Sequence, residues 1–182
     1  PGSEGPITHV TNGVHLGTWV QQELGTMYDR YLGVEWRDNQ DDQALWSKAA
    51  AIPDEVLWMQ HNKNKSALLH LMRARARARW MKGEGNAAQA LAGGALLDHS
   101  ALVIGFARRF AGYKRATLIL KDVERLKKML FDPWHPIQFV FAGKAHPDDD
   151  GGKALIQQIY TLAKDPSFGG RIAFVEDYDM HV

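Results

Sequence analysis

Cysteine is absent from this 182-residue chain. It can hold no disulfide framework, no thiolate-ligated zinc or iron–sulfur cluster and no thiol nucleophile. Such a sequence fits a reducing cytoplasm. Long apolar runs are missing too: nothing approaches the roughly 20 residues of a membrane-spanning helix. The opening Pro1-Gly2-Ser3-Glu4-Gly5-Pro6 lacks an initiator methionine and both the basic and apolar regions of a secretory signal. The closing Tyr178-Asp179-Met180-His181-Val182 has no polar tail. Both ends read as cut, so a piece of a longer protein is expected. Charge of one sign is also scarce. Lys and Arg number 22 against 21 Asp and Glu, a net +1, which argues against a dedicated nucleic-acid binder. His9, His15, His61 and His70 fall at no metal-ligand spacing, and no metal site is expected.

What is present suffices for a core. The chain is 45% hydrophobic and contains six Trp, seven Phe and five Tyr, enough apolar surface to offset chain entropy. In the first hundred residues the apolar spacing is helical. Val20, Leu24, Met27, Tyr28 and Tyr31 recur on one face, and Gly33 supplies a stop. Asp41-Asp42 opens a second helix to about Ala51, and Pro53 starts a third reaching about Met81. Residues 82–100 are rich in Gly and Ala and read as a loop with at most a weak helical turn, the best candidate for a subdomain boundary. The expected organisation is thus a mainly helical segment over 1–100 and a second part over 101–182.

That second part changes period. Leu102–Phe106, Ile137–Phe141 and Ile172–Val175 are short apolar runs, each expected to be a strand buried on both faces. Helices are expected between them, over about 114–130 and 152–163. A spacing of about 35 residues is that of a strand–helix unit, so the order implies an α/β fold with a parallel sheet and flanking helices.

Open parallel sheets bind ligands beyond the carboxyl ends of their strands. All three runs are followed there by chemically capable residues. After the first come Arg108, Arg109, Tyr113, Lys114 and Arg115; after the second, Lys144 and His146; after the third, Glu176, Asp177, Tyr178 and Asp179. Four cations around an expected helix start suit a phosphate, gripped by Arg and attracted by Lys. No G-x-x-x-x-G-K-[ST] sequence supports a nucleoside triphosphate. Asp148-Asp149-Asp150 reads as a helix cap with first-turn acids in preference to a metal site. Thr11-Asn12-Gly13-Val14-His15 is turn-competent, and Asn12 could hydrogen-bond a sugar hydroxyl. Arg73, Arg75, Arg77 and Arg79 alternate with Ala and read as a solvated helix covering its neighbour; RNA binding and contact with a missing part of the protein are the alternatives.

The segments ITHVTNGVHLGTW (7–19), VIGFARRFAGYKRATLIL (103–120), FAGKAHPDDDGGKALIQQI (141–159) and RIAFVEDYD (171–179) resemble the α-glucan (glycogen/maltodextrin) phosphorylases, especially the shorter bacterial type. They occur in family order. The resemblance implies a Rossmann-like unit of a GT-B fold, with 101–182 a partial βαβαβ unit of the catalytic C-terminal half. It implies phosphorolysis of terminal α-1,4-linked glucose to glucose 1-phosphate, with α-1,4-glucan and inorganic phosphate as partners and pyridoxal phosphate as cofactor. By match to the family motifs, Arg109 and Lys114 would hold the substrate phosphate, and Asn12 and Tyr113 would contact the reacting glucose. Arg108, Trp19, Lys144 and Tyr178 would border the cofactor. The family's Schiff-base lysine lies downstream of the last matched segment, so this stretch alone is expected to be inactive. A nucleotide-sugar synthase of GT-B architecture is the alternative enzyme. Self-association through an exposed sheet edge is a further expectation.

Overall fold

The computed structural model describes residues 8–178. Asp179, expected in the loop after the third strand, lies outside them, as do both chain ends. The chain divides into two compact units, Pro1–Asn62 and Lys63–Val182.

In the first unit, α1 spans Leu16–Trp19, α2 Gln22–Leu32 and α3 Gln43–Ser47. Gln21 caps α2 by accepting from the Glu23 and Leu24 N–H groups. Gly33 ends it at φ 90°, a conformation that costs glycine little. Asp42 caps α3. The small core is Leu32, Trp36 and Leu45, flanked by Tyr28 and Trp46. The three aromatic rings meet edge to face at centroid distances of 5.4–6.3 Å. Both indoles are satisfied: Trp36 Nε1 donates to Asp29 and Trp46 Nε1 to the Gln40 carbonyl.

The long helix α4, Asp54–Met81, begins just after Pro53 and carries the chain into the second unit. There follow α5 Ala87–Ala92, β1 Leu102–Ala107, α6 Val123–Leu130, β2 Ile137–Ala142, α7 Asp150–Lys164 and β3 Ile172–Val175. The strands form a parallel sheet in the order β1-β2-β3, with Leu102 opposite Ile137 and Phe139 opposite Ile172. Side chains alternate across it. Ile137, Phe139, Phe141, Ile172 and Phe174 pack with α6 and α7 on one face. Val140, Ala142, Ala173 and Val175 pack with Leu69 and Met72 of α4 on the other.

Three local expectations change. Residues 82–100 hold α5, closed by a reciprocal cap between Asn86 and Gln89. Ala92, Leu97 and Ala101 in and after it are fully buried. β2 and β3 are buried on both faces, but β1 is not: Leu102 is 58% exposed and Ile104 38%. Both β1 and β3 are edge strands, but the helices cover β2 and β3 and leave β1 open. The helix expected from 114 begins at Val123, because Arg115 sits in the left-handed region at φ 56°, which no right-handed helix continues.

Candidate functional site

The loop beyond β1 is built around Phe110. Its ring is fully buried against Phe106 and Phe174, at 5.5 and 5.9 Å. Anchoring this residue leaves Arg108 and Arg109 before it in solvent. The loop is stitched to the one beyond β2. The Arg108 N–H donates to the Ala142 carbonyl at 3.2 Å, and the Phe110 N–H to the Lys144 carbonyl at 3.0 Å. The parallel ladder thus continues past the strands and sets Arg108 and Arg109 beside Lys144 along the backbone. Gly143 makes this approach possible. Its φ is 142°, and a Cβ there would overlap the Arg108 carbonyl oxygen. Gly152, at the start of α7, meets the Phe110 carbonyl in the same way.

A short 3₁₀ turn, Gly112–Lys114, follows. The Lys114 ammonium lies 4.6 Å from the centre of the Tyr113 ring, a cation–π pair. Tyr113 is 75% exposed. Among the described residues, no carboxylate lies within ion-pair distance of Arg108, Arg109, Lys114, Arg115 or Lys144. Like charges gathered without counter-charge repel, and an anion relieves them. The helix start expected at this loop is not there, so no helix dipole adds to its charge. The cations precede a 3₁₀ turn, and the true start of α6 carries Asp122, which accepts from the Arg125 N–H.

The acidic run before α7 has the capping role expected of it. Asp149 accepts from the Gly152 N–H at 2.7 Å, and Asp150 pairs with Lys153. Beyond β3, Glu176 pairs with Arg79 of α4. Tyr178 packs against the face of the sheet that holds Leu69 and Val140. Tyr160 of α7 neighbours Glu176 and Gln89, and burial pushes its phenol up, with Glu176 adding to the effect. The pairing of Arg79 with Glu176 and the Tyr160 neighbourhood had no sequence signal, since they join residues far apart in the chain.

Asn12 and Trp19 belong to the first unit and are exposed there. The Leu16 N–H donates to Gln40 Oε1 at 3.1 Å, and Gln40 in turn donates to the Arg37 carbonyl. Gln40 thereby fixes the start of α1, which carries Trp19. The other six expected site residues lie in the second unit. The structure brings Arg108, Arg109 and Lys144 together by backbone pairing, and Tyr113 with Lys114 by ring contact.

An α/β unit that gathers cations beyond its strands offers a place suited to an anionic ligand. No protein-family model matches the chain. Curated proteins do. A glycogen phosphorylase of Aquifex aeolicus is 51% identical over 97% of the chain. A maltodextrin phosphorylase of Thermococcus litoralis is 42% identical over 99% of it, and a glycogen phosphorylase of Mycobacterium tuberculosis 39% identical over 97%. The chain spans about a quarter of the length of the first of these and about a fifth of the others. By sequence the chain belongs with the glycogen and maltodextrin phosphorylases, as part of their length. Neither the nucleotide-sugar synthase nor the RNA-binding alternative is favoured. Two of the four alternating arginines have partners within the second unit: Arg73 meets the Leu97 carbonyl and His99, and Arg79 meets Glu176.

Proposed function

We propose that this chain is part of the catalytic half of an α-1,4-glucan phosphorylase, and that the cations beyond β1 and β2 hold its phosphate. The observation that carries this is the set of cations without acidic partners, gathered by the stitched loops around Phe110. Phosphorolysis breaks the C1–O4 bond of a terminal glucose. A phosphate oxygen takes C1, and a proton passes to the departing O4. Glycoside cleavage passes through an oxocarbenium-like transition state, ordinarily served by two carboxylates. Here the phosphate itself can stabilise that cation and act as nucleophile. The protein's task is to concentrate and orient phosphate, which preorganised cations do.

In this reading Arg109 and Lys114 hold the substrate phosphate, and Tyr113 and Asn12 contact the reacting glucose. Arg108, Lys144, Trp19 and Tyr178 border pyridoxal phosphate. Within the second unit the donors suit that group: Arg108 and Lys144 are exposed cations suited to a phosphate, and Tyr178 offers a ring surface. When bound, pyridoxal phosphate supplies a phosphate group that relays a proton. Arg108 and Lys144 would hold two anions close together by offsetting their repulsion. The reading extends to a Rossmann-like unit over 101–182 within a GT-B fold, preceded by the helical segment 1–100, and to a cytoplasmic setting. Among the described residues no helix is long and apolar enough to cross a membrane.

The test uses the full-length polypeptide that carries this chain, assayed for glucose 1-phosphate release from maltoheptaose. Arg109→Ala and Lys114→Ala are each expected to lower kcat/KM for phosphate by about 10²–10³-fold. The KM for maltoheptaose should stay near wild type. Unchanged phosphate kinetics in both variants would refute the assignment.

A further inference from the structure

β3 ends at Val175, and the chain leaves it through Glu176, Asp177 and Tyr178. Asp177 turns this exit through the left-handed region at φ 53°. Such backbone costs a non-glycine residue free energy and persists only where its surroundings hold it. A single helix grips both sides of the turn. On one side, Tyr178 packs against the cluster that α4 shares with the sheet through Leu69 and Met72. On the other, the exit borders a cavity of about 620 Å³, lined also by Trp80 and Gln89. There the Arg79 guanidinium meets the Glu176 carboxylate. Met72 and Arg79 stand two turns, about 10 Å, apart along a helix, so one stiff element fixes the exit at two points.

Global stability does not account for the pair. The Arg79 and Glu176 side chains are 43% and 37% exposed, and exposed ion pairs add little to folding. The local consequences are larger. Glu176 also neighbours Tyr160 of α7, and Gln89 of α5 neighbours the same phenol. Arg79 therefore orients a carboxylate set among three helices. A guanidinium presents its donors in a fixed plane, which holds a carboxylate in one orientation. It offsets the carboxylate's charge as well. Asp177 has no ion-pair partner among the described residues. Without Arg79, two uncompensated carboxylates would stand directly before Tyr178.

We infer that Arg79 is a positioning residue: through Glu176 it sets the exit of β3, and with it the Tyr178 ring at the border of the cofactor site. The role rests on the proposed function, in which Tyr178 borders pyridoxal phosphate; the ion pair and the turn stand on the geometry alone. The test is the dissociation constant of the full-length polypeptide, stripped of cofactor, for pyridoxal phosphate, read by fluorescence titration beside the melting temperature. Arg79→Ala is expected to weaken binding about tenfold while the melting temperature stays within about 2 °C of wild type. Arg79→Lys, which keeps the charge and loses the planar fork, should weaken it about threefold. A residue that acts through a partner loses its effect once the partner is replaced. In a Glu176→Gln background, Arg79→Ala should therefore change the affinity by less than about threefold. Wild-type affinity in Arg79→Ala, an equal loss in both backgrounds, or failure of Arg79→Ala to fold where Glu176→Gln folds would each overturn the inference and leave the function standing. A wild-type polypeptide that binds no pyridoxal phosphate would overturn the function, and this role with it.

Discussion

Gly143 is the residue on which the geometry of the anion loop turns. Its backbone lies at φ 142°, and the Arg108 carbonyl occupies the space a side chain would need. Gly143→Ala must therefore distort the junction between the two loops. A loss of about 2–3 kcal/mol is expected from strained backbone of this kind, read as a lower urea midpoint; a change under about 0.5 kcal/mol would show that the loops can part freely. Carboxyls contribute at the same scale. Asp98, Asp132 and Asp165 are held below the ordinary aspartate range, each first by a backbone N–H, from Ser100, His135 and Ser167 respectively. Folding thus favours their ionised forms. That stabilisation is complete above the unfolded value near about pH 4 and is lost as pH falls through the lower folded values. Urea midpoints should decline steadily below about pH 4, and a flat profile would contradict it. Sequence reading reached Arg108, Arg109 and Lys114 because their types and positions after a strand speak for themselves. It passed over Gly143, whose requirement arises only when the Arg108 carbonyl comes against it.

Among the elements, β2 shows how polar and apolar demands are reconciled. Gln138 is fully buried on this central strand. Its side chain accepts from the Asp98 N–H at 2.8 Å and donates to the Asp98 carbonyl at 2.6 Å, tying the segment before β1 to the sheet. Gln138→Leu would strand both backbone groups, at a cost of about 1–3 kcal/mol for each left unsatisfied. Thermal unfolding should show a clear drop, and an unchanged melting temperature would mean that water replaces the amide. The strands were legible as short apolar runs between polar loops, α4 from the Pro53 start and the helix-forming residues that follow it, and α7 from its one-sided apolar face. The start of α6 was not: Lys114–Leu120 has helical composition, but a left-handed Arg115 breaks it and Asp122 offers a better cap. Residues 82–100 misled through composition. Gly and Ala suggested a loop, while Asn86 and Gln89 closed a short helix that packs on α7 and β3. The burial of β1 was overestimated because an apolar run does not say which strands the helices will cover.

At the scale of the whole molecule, β1 is the unfinished margin of the second unit. It pairs on one side with β2 and exposes Leu102 and Ile104. Free apolar edges recruit further strands, and we propose that the isolated chain self-associates through β1. Sedimentation velocity should show a concentration-dependent rise in mass that Ile104→Lys suppresses; a strictly monomeric wild-type chain would exclude it. The net charge of +1 concealed an uneven distribution, with unpaired cations gathered where the loops beyond β1 and β2 meet. The phosphate assignment depends on that local charge. The decisive measurement is kcat/KM for inorganic phosphate in the full-length polypeptide, wild type against Arg109→Ala, with maltoheptaose as co-substrate. A fall of about 10²-fold or more, with the maltoheptaose KM within about threefold of wild type, is the expected result. Equal phosphate kinetics in the two proteins would contradict it.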